Sequence, residues 1–189
     1  MTPVNLVEAS TERATLAIGA AGRAFENLLG TDGARHGFST YADRAALVLV
    51  FSSNRCPTAK AYGERMNALQ AEYSSRGVQL LVINSVDPHL YPAESYPRML
   101  ERAEEDRYAF PYLVDDGQRV AKAYGARCTF HVFLLDRSRR LRYHGRFDSS
   151  RIAASVTSQD LRNALDDVLA GRDVGVTTTR PFGCSLDFV

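Results

Sequence analysis

Cys56 stands where a cysteine is most easily made into a nucleophile. It follows the apolar run Ala45-Ala46-Leu47-Val48-Leu49-Val50-Phe51 and the polar turn Ser53-Asn54-Arg55, and it opens a strongly amphipathic stretch. A buried strand, a polar turn and a cysteine at a helix start bring a sulfur to unpaired amides and to the positive end of a helix dipole. Both favour thiolate over thiol. Arg55 adds a cation one residue earlier, and Pro57 suits the first helical turn, where its missing N–H is not needed. Such a thiolate could attack an electrophile, ligate a metal or reduce a peroxide. Ser53 either caps the turn or offers its hydroxyl to the Cys56 sulfur or a bound peroxide oxygen.

The remaining chemistry-bearing residues are sparse. Cys56, Cys128 and Cys184 are the three cysteines, an odd number lying far apart, which argues against a structural disulfide framework and for thiols reduced at rest in the cytoplasm. Neither they nor the four histidines (His36, His89, His131, His144) show metal-ligand spacing, so neither a metal nor a cofactor is expected. A Cys–His hydrolase would need an Asn or Asp to orient His131 near Cys56, and none is identifiable.

At 189 residues, with 45% hydrophobic and 24% charged residues, the chain has the composition of an ordinary globular protein with one core. A formal net charge of +1 gives no reason to expect nucleic acid or an anionic membrane surface as partner. The basic cluster Arg137, Arg139, Arg140 and Arg142 reads as a solvated turn. No apolar run approaches a membrane span, and Met1–Ala14 carries Glu8 and Glu12 without an apolar core, so no secretory signal is expected.

The elements that must position Cys56 follow from periodicity. Thr31-Asp32-Gly33 predicts a small hairpin between 25–29 and 36–39. Residues 45–51 and 78–83 read as buried strands. Between them Tyr62, Met66, Leu69 and Tyr73 lie on one helical face, with Gly77 at the helix C-terminus. A loop bearing Pro88, Tyr91 and Pro92 leads to a helix within 93–106, a short strand at 110–114 and a short helix at 118–124 closed by Gly125. Strands at 131–135 and 141–144 form an antiparallel pair, and Thr157 or Ser158 is expected to cap a last helix carrying Leu161, Leu165, Val168 and Leu169. Asn84 and Asp87 either cap a strand end or line a pocket. Strands alternating with helices imply an α/β fold whose parallel core sheet gains an antiparallel edge, with Cys56 at the carboxyl end of its first core strand.

The pieces Leu47–Phe51 with Ser53-Asn54-Arg55-Cys56-Pro57, then Val82-Ile83-Asn84-Ser85, Phe110-Pro111-Tyr112-Leu113, Val120-Ala121-Lys122-Ala123-Tyr124-Gly125, Phe133-Leu134-Leu135-Asp136 and Gly183-Cys184-Ser185 occur in one order. In that order the chain resembles the redoxin branch of the thioredoxin fold. This branch comprises peroxiredoxin-like and thiol–disulfide oxidoreductase-like proteins, with the alkyl hydroperoxide reductase and thiol-specific antioxidant group. The resemblance implies a thioredoxin-like domain with helices on both sheet faces. Many relatives have Cys-x-x-Cys where this chain has Ser53-x-x-Cys56, so dithiol exchange within the motif is unavailable. Cys56 matches instead the peroxidatic position of a Thr/Ser-x-x-Cys motif, although the proline expected before it falls on Leu49. A second departure is Cys128-Thr129-Phe130, where dithiol relatives have Thr-Pro with a cis bond. A cis bond before Phe130 would cost about 2.5–4 kcal/mol, so a trans peptide is expected, re-aiming backbone that normally meets a bound peptide or substrate.

The resemblance implies a thiol-dependent oxidoreductase in which the Cys56 thiolate reduces a peroxide, or a disulfide, and an external thiol reductant closes the cycle. Asn54, Arg55, Pro57, Thr129 and Phe130 are the expected substrate-binding or thiolate-stabilising neighbours. The resolving partner is open: Cys128 precedes a core strand beside the Cys56 helix and is either a resolving or a packed thiol. Cys184 lies in a glycine-punctuated tail that could fold back. The alternative is a thioredoxin-fold binding or scaffold domain without catalysis. The chain reads as one domain over 1–189, with an extension and hairpin at 1–40, a core at 41–171 and an irregular tail at 172–189. Its oligomeric state is open, a homodimer included.

Overall fold

In the computed structural model, which describes residues 14–189, the first described segment turns once and leads into a small hairpin, β1 (Leu28–Leu29) and β2 (Arg35–His36), turning at Thr31-Asp32-Gly33. The expectation for Met1–Ala14 lies, apart from Ala14, outside the described residues.

The apolar run becomes β3 (Ala46–Ser52), buried at every residue. Chain passing through the middle of a sheet covered on both faces needs apolar side chains on both, so the run is continuous rather than alternating. The predicted helix arrives in two pieces, α1 (Pro57–Ala61) and α2 (Gly63–Tyr73), broken at Tyr62. Tyr62, Met66, Leu69 and Tyr73 all face the core as their spacing requires. Gly77, at φ +79, reverses the chain into β4 (Val78–Asn84), and a Cβ there would meet Ala45.

Next come α3 (Tyr96–Glu105), β5 (Tyr112–Val114), α4 (Arg119–Tyr124), β6 (Val132–Leu135), β7 (Leu141–Gly145) and α5 (Asp160–Leu169). The sheet has five strands in the order β5-β4-β3-β6-β7. The neighbours β3–β4 and β4–β5 are parallel; β3–β6 and β6–β7 are antiparallel. One face packs Val48, Val50, Leu80, Val82, Val132 and Leu134 against α1, α2, α3 and α5. The other packs Leu47, Leu49, Phe51, Phe133 and Leu135 against α4 and the N-terminal segment.

Two local expectations are corrected. Neither Thr157 nor Ser158 caps α5; its N-cap is Gln159, and the Ser158 hydroxyl donates to the Asp160 carboxylate instead. The arginine cluster is not merely solvated: Arg139 donates to the carbonyls of Tyr41 and Arg44, and Arg140 to that of Gly19, tying the β6–β7 turn to the N-terminal segment. The tail pairs with the sheet side of the molecule at isolated bridges, His144 with Thr178 and Cys128 with Ser185. No helix among the described residues is long and apolar enough to cross a membrane.

His131 is fully buried on the face away from α1. Its Nδ1 accepts the Arg127 N–H at 3.2 Å, which puts its proton on Nε2, facing His144 Nδ1 at 3.2 Å. Burial, with the neighbouring His144 and Arg127 charges, lowers His131 to about 3, and burial lowers His144 as well. The folded pKa lies below the unfolded one, so the unfolded chain takes up protons first and stability falls as pH drops below about 6.5. The loss is about 1.4 kcal/mol per pH unit for a ring that stays neutral when folded. Thermal unfolding between pH 7 and 5 should show this loss, and His131→Gln should flatten it. An unchanged slope in the variant would remove His131 as its source.

Candidate active site

Cys56 is the N-cap of α1, with φ −66° and ψ 118°, at the carboxyl end of β3. It is 1% exposed. Two groups touch its sulfur from outside its own turn. Thr129 Oγ1 donates to it at 3.0 Å, and the Cys184 thiol lies 3.0 Å away, Sγ to Sγ. The Ala59 N–H, from the first turn of α1, also reaches it.

Burial pushes the Cys56 thiol up, but the hydrogen bonds from Thr129, Ala59 and Cys184 outweigh it and leave the thiol below its ordinary value. The partner moves oppositely: burial, the contact with Cys56 and the charge of Cys56 raise Cys184 to about 11. The two sulfurs are therefore shifted oppositely, Cys56 toward the thiolate and Cys184 toward the protonated thiol. Cys128 does not supply this partner. Its backbone pairs with Ser185, and burial, with the charges of Cys56 and Cys184, raises its thiol to about 12.

The polar turn before Cys56 is held by a residue the sequence did not point to. Glu94, 3% exposed, accepts Ser53 Oγ at 2.8 Å and Arg55 N–H at 3.0 Å on one oxygen. On the other it accepts Asn54 N–H at 2.6 Å and Asn84 Nδ2 at 3.0 Å. Ser53 also accepts the N–H groups of Arg55 and Cys56, so its single proton is committed to Glu94 and the hydroxyl on the sulfur is that of Thr129. Asn54 is likewise occupied, donating to Ala93 O and accepting from Tyr112 Oη. A lone Glu after Pro92-Ala93 carries no sequence signal of this role. Asn84 and Asp87 accept the N–H groups of Val86 and His89, so both cap loops, and both also line a pocket of about 190 Å³.

Phe130 lies in the left-handed region, φ +65°, and no peptide among the described residues is cis, so Thr129–Phe130 is trans. A bulky residue there costs roughly 1–2 kcal/mol. It is held by packing its buried ring, tilted, with its centroid 4.2 Å from that of Tyr62 and 5.9 Å from that of Phe147. Arg55 spreads over the Tyr91 ring, 4.8 Å from its centroid, and its charge lowers Cys184. A cleft of about 300 Å³ opens beside the two sulfurs, lined by Ser53, Arg55, Pro57 and Tyr91 among others. His131, engaged with Arg127 and His144, offers Cys56 no hydrolase partner.

With this geometry the likenesses to known proteins become specific. A family model described as the AhpC/TSA family matches residues 18–144. The thiol-disulfide oxidoreductase ResA of Geobacillus thermodenitrificans is 24% identical over 158 residues, 84% of this chain and 82% of its own length. A hypothetical protein from Sinorhizobium meliloti, SMc02350, is 38% identical with a TM-score of 0.86, over 93% of this chain and 97% of that one. Peroxidoxin BcpB of Mycobacterium tuberculosis, 18% identical over 81% of this chain and 94% of its own, shares the fold with a TM-score of 0.57. The chain belongs to the AhpC/TSA family.

Thr129→Val keeps the shape and removes the hydroxyl. A hydrogen bond to a charged group is worth about 1.5–3 kcal/mol, so the midpoint of Cys56 alkylation against pH should rise by about one to two units. An unmoved midpoint would show that Thr129 does not hold the thiolate.

Proposed function

We propose that this member of the AhpC/TSA family is a thiol-dependent oxidoreductase in which Cys56 attacks a peroxide, or a disulfide, and Cys184 resolves the product. One contact carries the reading: a thiol from the far end of the chain rests 3.0 Å from a buried sulfur that its surroundings favour as thiolate. It supplies in space the second thiol that Ser53 withholds in sequence.

With a peroxide, Cys56 attacks the terminal oxygen and the O–O bond breaks. The departing alkoxide or hydroxide takes a proton from solvent, leaving a sulfenic acid. Cys184 then attacks the Cys56 sulfur; the S–S bond forms, and hydroxide leaves with the Cys184 proton as water. With a disulfide, Cys56 displaces one thiolate to give a mixed disulfide, and Cys184 displaces the other. Either route ends in a Cys56–Cys184 disulfide, and an external thiol reductant returns the two electrons. The raised pKa of Cys184 suits the second role, because a thiol protonated at neutral pH does not compete for the first attack. Three cysteines, odd in number and far apart in sequence, argue against a structural disulfide framework, and the cytoplasm is the location we assign.

Treatment of the reduced protein with one equivalent of hydrogen peroxide, followed by peptide mass spectrometry, should give a Cys56–Cys184 crosslink. Cys56→Ser should abolish peroxide consumption. Cys184→Ser should leave oxidised Cys56 without an internal crosslink, and Cys128→Ser should stay within about two-fold of the parent. Parental consumption by Cys56→Ser would end the mechanism; a Cys56–Cys128 crosslink would transfer the resolving role.

A further inference from the structure

The segment that delivers Cys184 is built into the site more thoroughly than a resolving thiol requires. It is seated through an isolated antiparallel bridge beside Thr129. Thr129 N–H donates to Cys184 O at 2.8 Å, Cys184 N–H donates to Thr129 Oγ1 at 2.8 Å, and Cys128 and Ser185 form an antiparallel bridge. Gly183 is required by this approach, because a Cβ there would stand 1.8 Å from Thr129 O. Beyond the cysteine, Leu186 is buried at 5% exposure against the α4 side of the core, with Phe188 packed alongside. Asp187 accepts Tyr91 Oη at 2.6 Å, and Gln118 donates to Asp187 O at 2.8 Å and accepts Val189 N–H at 2.9 Å.

Resting on the reading of Cys56 as the attacking thiolate, we infer that residues 182–189 are an intramolecular pseudosubstrate strap that makes the site a size filter. A small oxidant enters by the open cleft with the strap in place. A polypeptide disulfide would have to lay its backbone where Cys184 now meets Thr129 to bring its sulfur to Cys56, and the strap occupies that place and covers Cys56. Polypeptides are therefore served only by the fraction of molecules whose strap has lifted. Tethering keeps that fraction small, because the strap competes at high local concentration. The strap remains displaceable because Cys184, Ser185 and Asp187 are exposed, and hydrogen bonds open to water are individually weak.

The test uses the full chain with all three cysteines. Leu186→Ala removes the apolar anchor outside the cleft, and Gln118→Ala removes the side chain that holds Asp187 O and the Val189 N–H; either loosens the strap without touching Thr129, so failure of one variant to fold leaves the other. The readout is the single-turnover rate of Cys56 oxidation by hydrogen peroxide and by a synthetic extended peptide carrying a mixed disulfide. Exchange of the Cys184 amide hydrogen reports strap lifting. Amide exchange should quicken, and the peptide rate should rise on the order of tenfold while the peroxide rate moves less than about three-fold, as expected when only one probe depends on the open population. Equal changes in both rates, or an unchanged peptide rate despite faster amide exchange, overturn the size filter and leave the oxidoreductase reading intact. Failure of Cys56 to react with either probe, in parent and variants alike, overturns both.

Discussion

Thr129 Oγ1 has one proton and three neighbours that compete for it or lean on it. It lies 3.0 Å from the Cys56 sulfur and 3.2 Å from Cys184 O, while Cys184 N–H donates to it at 2.8 Å. The carbonyl is a fixed acceptor; the sulfur becomes a strong one only as a thiolate, so ionisation of Cys56 draws the proton toward it. The same hydroxyl holds the backbone of Cys184, so the atom that contacts the Cys56 sulfur also places the Cys184 sulfur beside it. The rest of the structure serves to aim this side chain. The trans peptide and left-handed Phe130 turn the loop inward, and the buried Phe130 ring between Tyr62 and Phe147 keeps it there.

The opposite wall of the site is built on charge rather than packing. Glu94 receives two donors on each oxygen and so fixes Ser53, Asn54 and Arg55 ahead of Cys56. A buried carboxylate is tolerated because its acceptor capacity is filled, and removing any one partner would leave a costly orphan. The turn is thereby rigid, which brings the Cys56 sulfur to the Ala59 amide rather than leaving it to sample rotamers.

How far all this could be read from the chain depended on the range of the interactions. The strands at β3, β4 and β6 and the stripe Tyr62-Met66-Leu69-Tyr73 were legible because burial imposes a local period. The mixed sheet, with its antiparallel hairpin edge, followed from their alternation. Cys56 and Thr129 were legible from position and resemblance. Cys184 was the weaker candidate in sequence because nothing local distinguishes a thiol in an aperiodic tail; its role rests on a contact across 128 residues. Cys128 stays open as the sequence left it: the contacts on the Cys56 sulfur come from Thr129, its neighbour at the turn, and from Cys184. Glu94 and the Gln159 cap were missed because a surface glutamate and a buried one look alike until a partner loop is known.

A dithiol divided between a helix start and a distant tail differs physically from one enclosed in a single helical turn. In a Cys-x-x-Cys turn the sulfurs remain neighbours even when much of the protein is loosened. Here they meet only while the tail is docked on Thr129, so the tendency to form the bond is tied to the folded state. The coupling is reciprocal. A crosslink spanning 128 residues restricts the unfolded chain by about 5 kcal/mol in the chain-entropy picture, and the folded protein must favour the crosslink to the same extent by holding the sulfurs together. Docking of the tail, ionisation of Cys56 and any bond between the two sulfurs are therefore coupled. The Thr129 hydroxyl is the contact common to all of them.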